Sequence, residues 1–413
     1  MRFLEDLSAW VAQQRWYAGK SHEPRFRILA EQSAPGATRY LLMDDAGSLP
    51  ALYNVPLARV ESSVEAVDSI SGDGDAYLID ATRHPDFATG MLAEMGVDVS
   101  RVTGSRVLTA EQSNTSIVFD EDGEPTIILK IFRTLHHGEN PDVTVQRALS
   151  AAGSPYVPRF LASLETEWPD VGRASGTAHG TLAFAQEFLP GVQDGWGVAL
   201  DAARDGRDFT ESAHDLGVAI AGVHEALGAT LETVDAGPSD VAMTGAAWRR
   251  RLAIAAAEVP AVADRIAAIE AIYQAALERP WPRLQRIHGD LHLGQVLAVP
   301  HGGWRIVDFE GEPLRPMEER AIPDLTTRDV AGMLRSFDYA GAVGGRSDGV
   351  AWATACRGAF IAAYAGAAET VDLDPVILRA LVLDKAVYES IYEARNRPEW
   401  LPVPLAGIDA ALA

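Results

Sequence analysis

The stretch His288–Gln295 reads HGDLHLGQ, and Ile306–Glu310, a little further along the chain, reads IVDFE. Two short apolar runs, Val296–Val299 and Trp304–Val307, connect these stretches. Runs of this length and composition predict two strands joined by a hairpin. Two acidic side chains and one amide therefore surround a short hairpin, an arrangement much rarer than acidic residues in ordinary turns.

The residues around this hairpin form the donor set that phosphoryl transfer requires. We predict that Asp290 is the catalytic residue, which orients an acceptor hydroxyl and takes its proton. Gln295 and Asp308, with Glu310, are predicted to hold Mg²⁺ on the phosphates of ATP. In protein kinases the catalytic Asp precedes a metal-binding Asn by five residues, and Asp290 and Gln295 have the same spacing. The competing interpretation is a pair of turn acids, with His288 as a satisfied core residue.

A lysine within an apolar strand is the next feature that phosphate binding predicts. Lys130 lies in the run Ile127–Phe132, which reads IILKIF, and a solvated lysine is out of place there. We predict that its amine contacts the α- and β-phosphates of ATP. The alternative is an edge-strand lysine that points to water.

The loop Glu111–Ser116, one strand earlier, is polar and contains no glycine. Its hydroxyl and amide groups are candidates to cover the phosphates, although an ordinary polar turn fits equally well. The predicted ATP-binding residues of this loop are Ser113, Asn114, Thr115 and Ser116. Gln186, Glu187 and Phe188 end the last predicted strand before the helical half, where a hinge would offer backbone groups to adenine. The sequence G-x-x-x-x-G-K-[ST] does not occur, which excludes a nucleotide-binding loop of that type.

Composition and charge narrow the class of protein. The hydrophobic fraction of 47% is that of an ordinary globular protein, and the formal net charge of −23 repels nucleic acids and anionic membranes. The single cysteine, Cys356, excludes an internal disulfide and a multi-cysteine zinc site. We find neither a signal-peptide pattern nor an apolar run of about 20 residues. A cytoplasmic protein without nucleic-acid or membrane partners is expected, whereas the oligomeric state is not predicted.

Several longer stretches resemble known enzymes. His288–Gln295 resembles the aminoglycoside phosphotransferase and choline kinase superfamily, in which the last position is usually Asn. The stretches that resemble the actinobacterial maltokinase-like family within it are Gln14–Lys20, Ala110–Ser116, Arg286–Leu297, Asp308–Pro316, Arg328–Ala340 and Leu383–Pro404. The resemblance implies a bilobal, protein-kinase-like α+β fold. It further implies an N-terminal cap subdomain over residues 1–90, a sheet-rich ATP-binding subdomain over 91–190 and a mainly helical C-lobe with the sugar acceptor site over 191–413.

Two further departures from the maltokinase pattern concern the first half of the chain. The cap region is shorter than that of a maltokinase. Thr144 stands where maltokinases carry a Glu, which leaves open the acidic partner of Lys130. Asp142 and Glu139 are the candidates for that partner.

The predicted helix Pro375–Arg395 carries the candidates for sugar binding. Residues four apart share a helix face, so acids and aromatic rings fall together there, and these groups bind sugar hydroxyls and C–H faces. The substrate-binding candidates are Asp290, His292, Asp384, Lys385, Tyr388, Glu389, Tyr392 and Glu393. The alternative is a solvated face of Lys–Glu pairs with tyrosines in the core, and the family resemblance favours the acceptor interpretation.

An acid-rich pocket suits a protonated amino sugar, because the ammonium group gains charge-assisted hydrogen bonds. Together with the short cap, this favours a sugar kinase that converts glucosamine to glucosamine 6-phosphate over a maltokinase that makes maltose 1-phosphate. Another phosphotransferase, acting on an aminoglycoside-like acceptor, is a further interpretation. The last interpretation is a pseudokinase, which binds ligands without catalysing transfer, and Thr144 is the feature that favours it.

Overall fold

The computed structural model describes residues 2–47, 49–61, 70–71, 77–108, 113–300, 302–312 and 315–413. The chain divides into two compact units. The first unit comprises Met1–Val143 and Arg159–Pro190, and the second comprises Thr144–Pro158 and Gly191–Ala413. None of the described helices combines the length and the apolar character needed to span a bilayer.

The described strands of the first unit form two antiparallel sheets. The strands are β1 (Phe26–Ala34), β2 (Ala37–Asp44), β3 (Ala51–Val60), β4 (Ile70–Ser71), β5 (Tyr77–Asp80), β6 (Val102–Val107), β7 (Asn114–Glu121), β8 (Glu124–Phe132), β9 (Thr134–Leu135), β10 (Phe160–Pro169) and β11 (Thr177–Glu187). The first sheet has the order β1-β2-β3-β5-β4, with β9 paired to β3, and the second sheet has the order β10-β11-β8-β7-β6. The helices that begin in this unit are α1 (Arg2–Gln13), α2 (Pro85–Glu94) and α3 (Pro141–Ala151).

Local sequence explains the elements of the second sheet that carry candidate residues. The polar turn Asp120–Glu124 between two apolar runs predicts a hairpin, and β7 and β8 form it. Its turn residues Asp122 and Gly123 have positive φ angles of 50° and 90°, as a two-residue hairpin turn with Gly requires. Ile127, Leu129 and Ile131 of β8 are buried on one face. Lys130 therefore lies on the opposite face of the strand, because successive side chains alternate.

The second unit is mainly helical. Its helices are α4 (Gly195–Asp205), α5 (Thr210–Thr230), α6 (Pro238–Glu258), α7 (Pro260–Ala263), α8 (Ile266–Leu277), α9 (Met317–Arg320), α10 (Thr326–Val343), α11 (Gly349–Ala367), α12 (Pro375–Asn396) and α13 (Pro402–Leu412). Its strands are β12 (Gln193–Asp194), β13 (Thr233–Val234), β14 (Leu284–Gln285), β15 (Val296–Ala298) and β16 (Trp304–Ile306). One hydrophobic core, with Leu216, Phe337, Phe360 and Val387 among its buried members, joins α5, α10, α11 and α12. The hairpin β15–β16 lies at this core, since Val296 and Ile306 are buried in it.

One predicted helix is divided in the structure. The periodic stretch Ala261–Leu277 predicts a single helix, but α7 ends at Ala263 and α8 begins at Ile266. The Arg265 amide donates a hydrogen bond to the carbonyl of Val262, while the Arg265 guanidinium donates one to the carbonyl of Ala261. A side chain thus competes with the backbone for the hydrogen bond that would continue the helix.

Candidate active site

Two hydrogen bonds connect the loop His288–Gln295 to the end of β16. The Val307 amide donates to the Gln295 carbonyl over 3.0 Å, and His288 Nε2 donates to the Val307 carbonyl over 3.0 Å. The Asp290 amide donates to Nδ1 of the same imidazole over 3.3 Å. His288 is therefore the Nε2–H tautomer, and this buried ring links the loop that bears Asp290 to the segment that bears Asp308.

Asp290 and Asp308 lie in one electrostatic environment. Burial lowers the pKa of His292, although the carboxylates of Asp290 and Asp308 oppose that shift. Burial also lowers the pKa of Arg320, and the same two carboxylates oppose it, together with Glu310. Both acids therefore act on the same two groups, as expected if they belong to one site.

A close backbone approach holds this arrangement together. Gly289 has a φ of +84°, and a Cβ at this position would lie 3.3 Å from the Gly311 Cα. Gly289 thus allows the loop that carries Asp290 to lie directly against the segment Asp308–Gly311. A larger residue at position 289 would push the two segments apart.

Asp308 has an unusual backbone conformation. Among the described non-glycine residues, positive φ occurs at Asp122, in the hairpin turn, and at Asp308, where φ is 67°. The left-handed region costs energy for a residue with a Cβ, and such strain concentrates at functional sites. The carboxylates of Asp308 and Glu310 and the amide oxygen of Gln295 are the hard oxygen donors that suit Mg²⁺.

Asp329 of α10 fixes the position of the catalytic loop. Its Oδ2 accepts from the His288 amide over 2.7 Å, and its Oδ1 accepts from the Gly289 amide over 2.9 Å. His224 Nε2 donates to Asp329 Oδ2 over 3.1 Å, while His224 Nδ1 accepts from the Tyr364 hydroxyl over 2.7 Å. Burial alone would raise the pKa of Asp329, but hydrogen bonds from His224 and the backbone lower it. Sequence reasoning missed this network because its members are far apart in the chain.

A cleft of about 460 Å³, part of it open to solvent, adjoins Asp290. Its lining residues are Arg251, Gly289, Asp290, Leu291, Glu312, Arg328, Asp329, Ala331, Gly332, Leu381, Asp384, Lys385 and Tyr388. Of the predicted substrate-binding residues, the cleft therefore brings together Asp290, Asp384, Lys385 and Tyr388. The side chains of Arg251, Glu312 and Arg328 were not predicted, since their place in the cleft depends on tertiary packing.

Three of the four carboxylates that line the cleft have a cationic partner among the lining residues. Lys385 Nζ lies 3.7 Å from Asp290 Oδ1. Arg251 donates to both oxygens of Asp384, over 2.9 and 2.8 Å, and Arg328 Nη2 lies 3.0 Å from Glu312 Oε2. The cleft thus presents ion pairs that can exchange partners with a polar ligand.

The last turns of α12 serve a different cluster. Glu389 accepts two hydrogen bonds from Arg335, over 2.9 and 2.7 Å. Glu393 accepts from Tyr339 and Arg397. The predicted substrate-binding residues Glu389, Tyr392 and Glu393 are not among the residues that line the cleft. Arg335 and Arg397 pair with the two acids, so a role of Glu389, Tyr392 and Glu393 in substrate binding stays a prediction.

His292 also serves the loop itself. Its Nδ1 accepts from the Gly294 amide over 3.0 Å, which closes the short turn before β15. The predicted substrate-binding residue His292 is likewise absent from the lining of the cleft. Its observed contact is therefore a local cap that shapes the segment leading to Gln295.

In the first unit, Lys130 has an acidic partner. Lys130 Nζ lies 3.0 Å from Asp142 Oδ2, and the Asp142 side chain is only 3% exposed. Asp142 lies in the first turn of α3, whose N-terminus is capped by the Asn140 side chain accepting from the Asp142 and Val143 amides. Asp142, one of the two candidates that Thr144 left open, forms an ion pair with Lys130.

The register of β7 and β8 sorts the predicted ATP-binding residues. Ser116 lies opposite Lys130 and Asn114 opposite Phe132, so both side chains share the face of Lys130. Thr115 lies on the other face, where its hydroxyl accepts from Arg133 Nε over 2.8 Å. Ser113 is an exposed bend residue before β7. Glu111 and Gln112 of the same predicted loop lie outside the described residues.

The predicted hinge is at the end of β11. The Glu187 amide donates to the Arg159 carbonyl over 2.9 Å, and the Phe188 amide donates to the Thr126 carbonyl over 2.8 Å. Gln186 lies opposite Ile128 in the ladder with β8. The amides of Glu187 and Phe188 thus already donate to backbone carbonyls of the protein. Any hydrogen bond from these residues to adenine must therefore use their other groups.

Known proteins resemble this chain over nearly its full length. The model of the "Phosphotransferase enzyme family" matches residues 105–370, and that of the "Maltokinase N-terminal cap domain" matches residues 10–83. A glucosamine kinase of Streptacidiphilus jiangxiensis is 31% identical and covers 91% of each chain. One from Mycolicibacterium smegmatis is 29% identical over 83% of this chain and 88% of its own.

Solved structures extend the likeness to the fold. A glucosamine kinase in complex with glucosamine, ADP and inorganic phosphate has a TM-score of 0.74 and 25% identity, covering 98% of this chain and 99% of its own. This likeness confirms the predicted kinase-like α+β fold with an N-terminal cap.

Proposed function

The chain belongs to the phosphotransferase enzyme family, and we propose that within this family it is an ATP- and Mg²⁺-dependent glucosamine kinase that forms glucosamine 6-phosphate. Membership confirms the resemblance that the HGDLHLGQ stretch indicated. The observation that carries the proposal is the Asp290 carboxylate at the cleft, in a chain that aligns with a glucosamine kinase over 91% of both lengths.

In the proposed reaction, Asp290 accepts a hydrogen bond from the attacking sugar hydroxyl and takes its proton as the oxygen bonds to the γ-phosphorus of ATP, while the bond between that phosphorus and the bridging oxygen breaks and ADP leaves. Asp329 fixes the backbone next to Asp290 by accepting hydrogen bonds from the His288 and Gly289 amides. In the free protein, Lys385 balances the charge of Asp290. When the sugar binds, its hydroxyl replaces the Lys385 ammonium group beside Asp290, and Lys385 becomes available to contact the sugar.

Lys130, oriented by Asp142, contacts the phosphates of ATP. Gln295, Asp308 and Glu310 are the residues that would hold Mg²⁺ through oxygen atoms, and this role would explain the left-handed backbone conformation of Asp308. When bound, magnesium neutralises the phosphate charge that develops during transfer. Because ATP is the phosphoryl donor, the proposal also places the protein in the cytoplasm.

The amino sugar is favoured by the ion pairs of the cleft. Asp384 and Glu312 each reach the cleft while bound to an arginine. A ligand that brings its own ammonium group and several hydroxyls can exchange with these arginines without leaving a carboxylate unpaired. Maltose brings no such charge.

A maltokinase is the second candidate, and the match of residues 10–83 to the maltokinase cap domain favours it. An ADP-release assay with glucosamine, glucose and maltose as acceptors, with and without a chelator, separates the two. We expect Mg²⁺-dependent turnover with a kcat/KM for glucosamine at least about tenfold above that for maltose. A preference for maltose would establish the second candidate. A rate of ADP release that does not depend on any of the three sugars would refute both candidates.

A further inference from the structure

Arg133 lies where the chain passes from one sheet of the first unit to the other. It follows β8 of the second sheet and precedes β9, which pairs with β3 of the first sheet. The Asn54 amide of β3 donates to the Arg133 carbonyl over 2.8 Å, and Asn54 Nδ2 donates to the Phe132 carbonyl over 3.0 Å. The two sheets are thus joined at this residue through its backbone.

The Arg133 side chain joins the same sheets a second time. Arg133 Nη2 donates to Asp80 Oδ2 over 2.5 Å, at the end of β5 in the first sheet, and to Thr82 Oγ1 over 3.2 Å, two residues after that strand. Its guanidinium lies 4.8 Å from the ring centre of Trp16, within cation–π range. Its Nε donates to Thr115 Oγ1 at the start of β7, over 2.8 Å.

Stability alone is a poor reason for this arrangement. The Arg133 side chain is fully buried, and its Nη1 makes no hydrogen bond within the described part of the chain. Burying a guanidinium costs more than burying an apolar side chain of similar volume, and an unsatisfied donor adds to that cost. A buried charge that costs this much stability is explained better if Arg133 serves to hold neighbouring residues in position.

What Arg133 positions is the strand end that faces the phosphates in the proposed function. The Thr115 hydroxyl is held on one face of β7, while its neighbours Asn114 and Ser116 lie on the face of Lys130. Fixing Thr115 therefore fixes the two residues on either side of it. Lys130 itself is three positions before Arg133 on β8.

The aromatic side of the cluster comes from Gln14–Lys20, a stretch that the proposed reaction does not use. Trp16 packs against Trp10 and Tyr53, with ring centres 6.2 and 6.1 Å apart. Trp16 is thus anchored in the core of the first sheet. Through its contact with Arg133, which also binds Thr115, Trp16 connects the core of the first sheet to β7.

We propose that Arg133 is a positioning residue through which the first sheet sets nucleotide affinity. Trp16 and Asp80 hold the guanidinium, and the guanidinium holds Thr115 at the start of β7. This inference rests on the proposed function, since it takes Lys130 and the start of β7 as the phosphate-binding edge.

The test measures Mg–ADP binding by calorimetry in the full-length protein. Asp80→Asn and Trp16→Phe weaken the hold on Arg133 from the first sheet, and Arg133→Met removes it. We expect the Kd for Mg–ADP and the KM for ATP to rise about tenfold in Asp80→Asn, as for the loss of a charge-assisted hydrogen bond, with the KM for glucosamine unchanged. Trp16→Phe should show a smaller rise, and Arg133→Met, if it folds, a larger one.

Tyr17→Phe is the matched control. The Tyr17 hydroxyl donates to Asp44 Oδ2 over 2.7 Å within the same aromatic core, and none of the described hydrogen bonds or ring contacts of Tyr17 involves Arg133. This variant should lower the melting temperature and leave the Kd for Mg–ADP at the wild-type value. If Asp80→Asn and Trp16→Phe also lose only stability, Arg133 is a structural residue and the inference is wrong. The binding measurement decides this even if the wild type binds Mg–ADP but phosphorylates no sugar, an outcome that would refute the proposed function alone.

Discussion

At the scale of single residues, two acids carry different duties in the proposed reaction. Asp290 faces the cleft beside Lys385, and Asp308 occupies a strained backbone position after β16. A proton acceptor acts during transfer, whereas a metal ligand acts from the moment the nucleotide binds. Variants of the two residues should therefore fail at different steps.

Asp290→Asn keeps the shape of the side chain but removes its basicity. We expect kcat to fall about a thousandfold, the range of general-base catalysis, with the Kd for Mg–ADP and the melting temperature unchanged. The comparison variant is Asp308→Asn, which should weaken Mg–ADP binding as well as turnover. Steady-state kinetics and calorimetry on both proteins check this, and near-normal turnover of Asp290→Asn would contradict the assigned role.

The ion pair between Lys130 and Asp142 gives a second prediction at this scale. Asp142→Asn leaves the lysine without its orienting charge, so the KM for ATP should rise about tenfold. Lys130→Met should have a larger effect, and the double variant should be no worse than Lys130→Met, because the residues act as one unit. Additive losses in this cycle would show that Asp142 acts independently of Lys130.

At the scale of elements, α12 presents Asp384, Lys385 and Tyr388 to the cleft, so its N-terminal cap matters to the site. Asp374 Oδ1 accepts from the Val376 and Ile377 amides, and Arg279 donates to Asp374 Oδ2. Burial would raise the pKa of Asp374, but these hydrogen bonds lower it below its ordinary value of 3.8. A carboxyl whose pKa is lowered by folding stabilises the fold above that value and loses the effect as pH falls through the lowered one.

We predict that Asp374→Ala lowers the free energy of unfolding at pH 7 by roughly 1–2 kcal/mol, the cost of losing an N-cap. Asp374→Ser retains a capping oxygen without the charge, and should lose less. The advantage of the wild type over Asp374→Ser should shrink as pH falls below about 4, because Asp374 of the unfolded chain then binds a proton that the folded carboxylate, with its lowered pKa, takes up only at still lower pH. Urea titrations at neutral and acidic pH measure this, and a pH-independent difference would contradict it.

Elements were predicted from sequence where the pattern was local. Asp122-Gly123 predicts the turn of the β7–β8 hairpin. Asn140-Pro141 predicts the start of a helix over Asp142–Ala151, and α3 spans Pro141–Ala151. The break between α7 and α8 was missed, since the Arg265 guanidinium that takes a helix carbonyl is anchored by Asp409, distant in sequence. Helical periodicity also grouped Glu389 with Lys385, although Arg335 pairs with Glu389 in the folded chain.

At the scale of the whole molecule, the family and the place of Asp290 could be predicted because they depend on a contiguous motif. The partners of the cleft acids could not. Arg251 lies on α6 and Arg328 on α10, each distant in sequence from its acidic partner, and packing of the helical core brings Arg251 to Asp384 and Arg328 to Glu312. The same reason hid Asp329, whose carboxylate supports the catalytic loop from α10.

The single cysteine reports on the integrity of the helical core. Cys356 is 1% exposed, and burial raises the pKa of its thiol to about 12. Because the thiolate is the reactive form, the native protein should react with a thiol reagent at pH 8 only as fast as the core opens. The labelling rate should rise with urea in step with unfolding followed by fluorescence. Complete labelling of the native protein within seconds would show that the core around Cys356 is open.

The most direct measurement of the central claim is a phosphorus NMR spectrum of the reaction of ATP, Mg²⁺ and glucosamine, recorded with wild-type protein and with Asp290→Asn. With the wild type, the account predicts a new phosphomonoester signal coupled to the two protons on C6 of the sugar, growing as the γ-phosphate signal of ATP declines. The variant should leave ATP intact. A wild-type sample that forms only inorganic phosphate, or a variant that forms the sugar phosphate at the wild-type rate, would contradict the account.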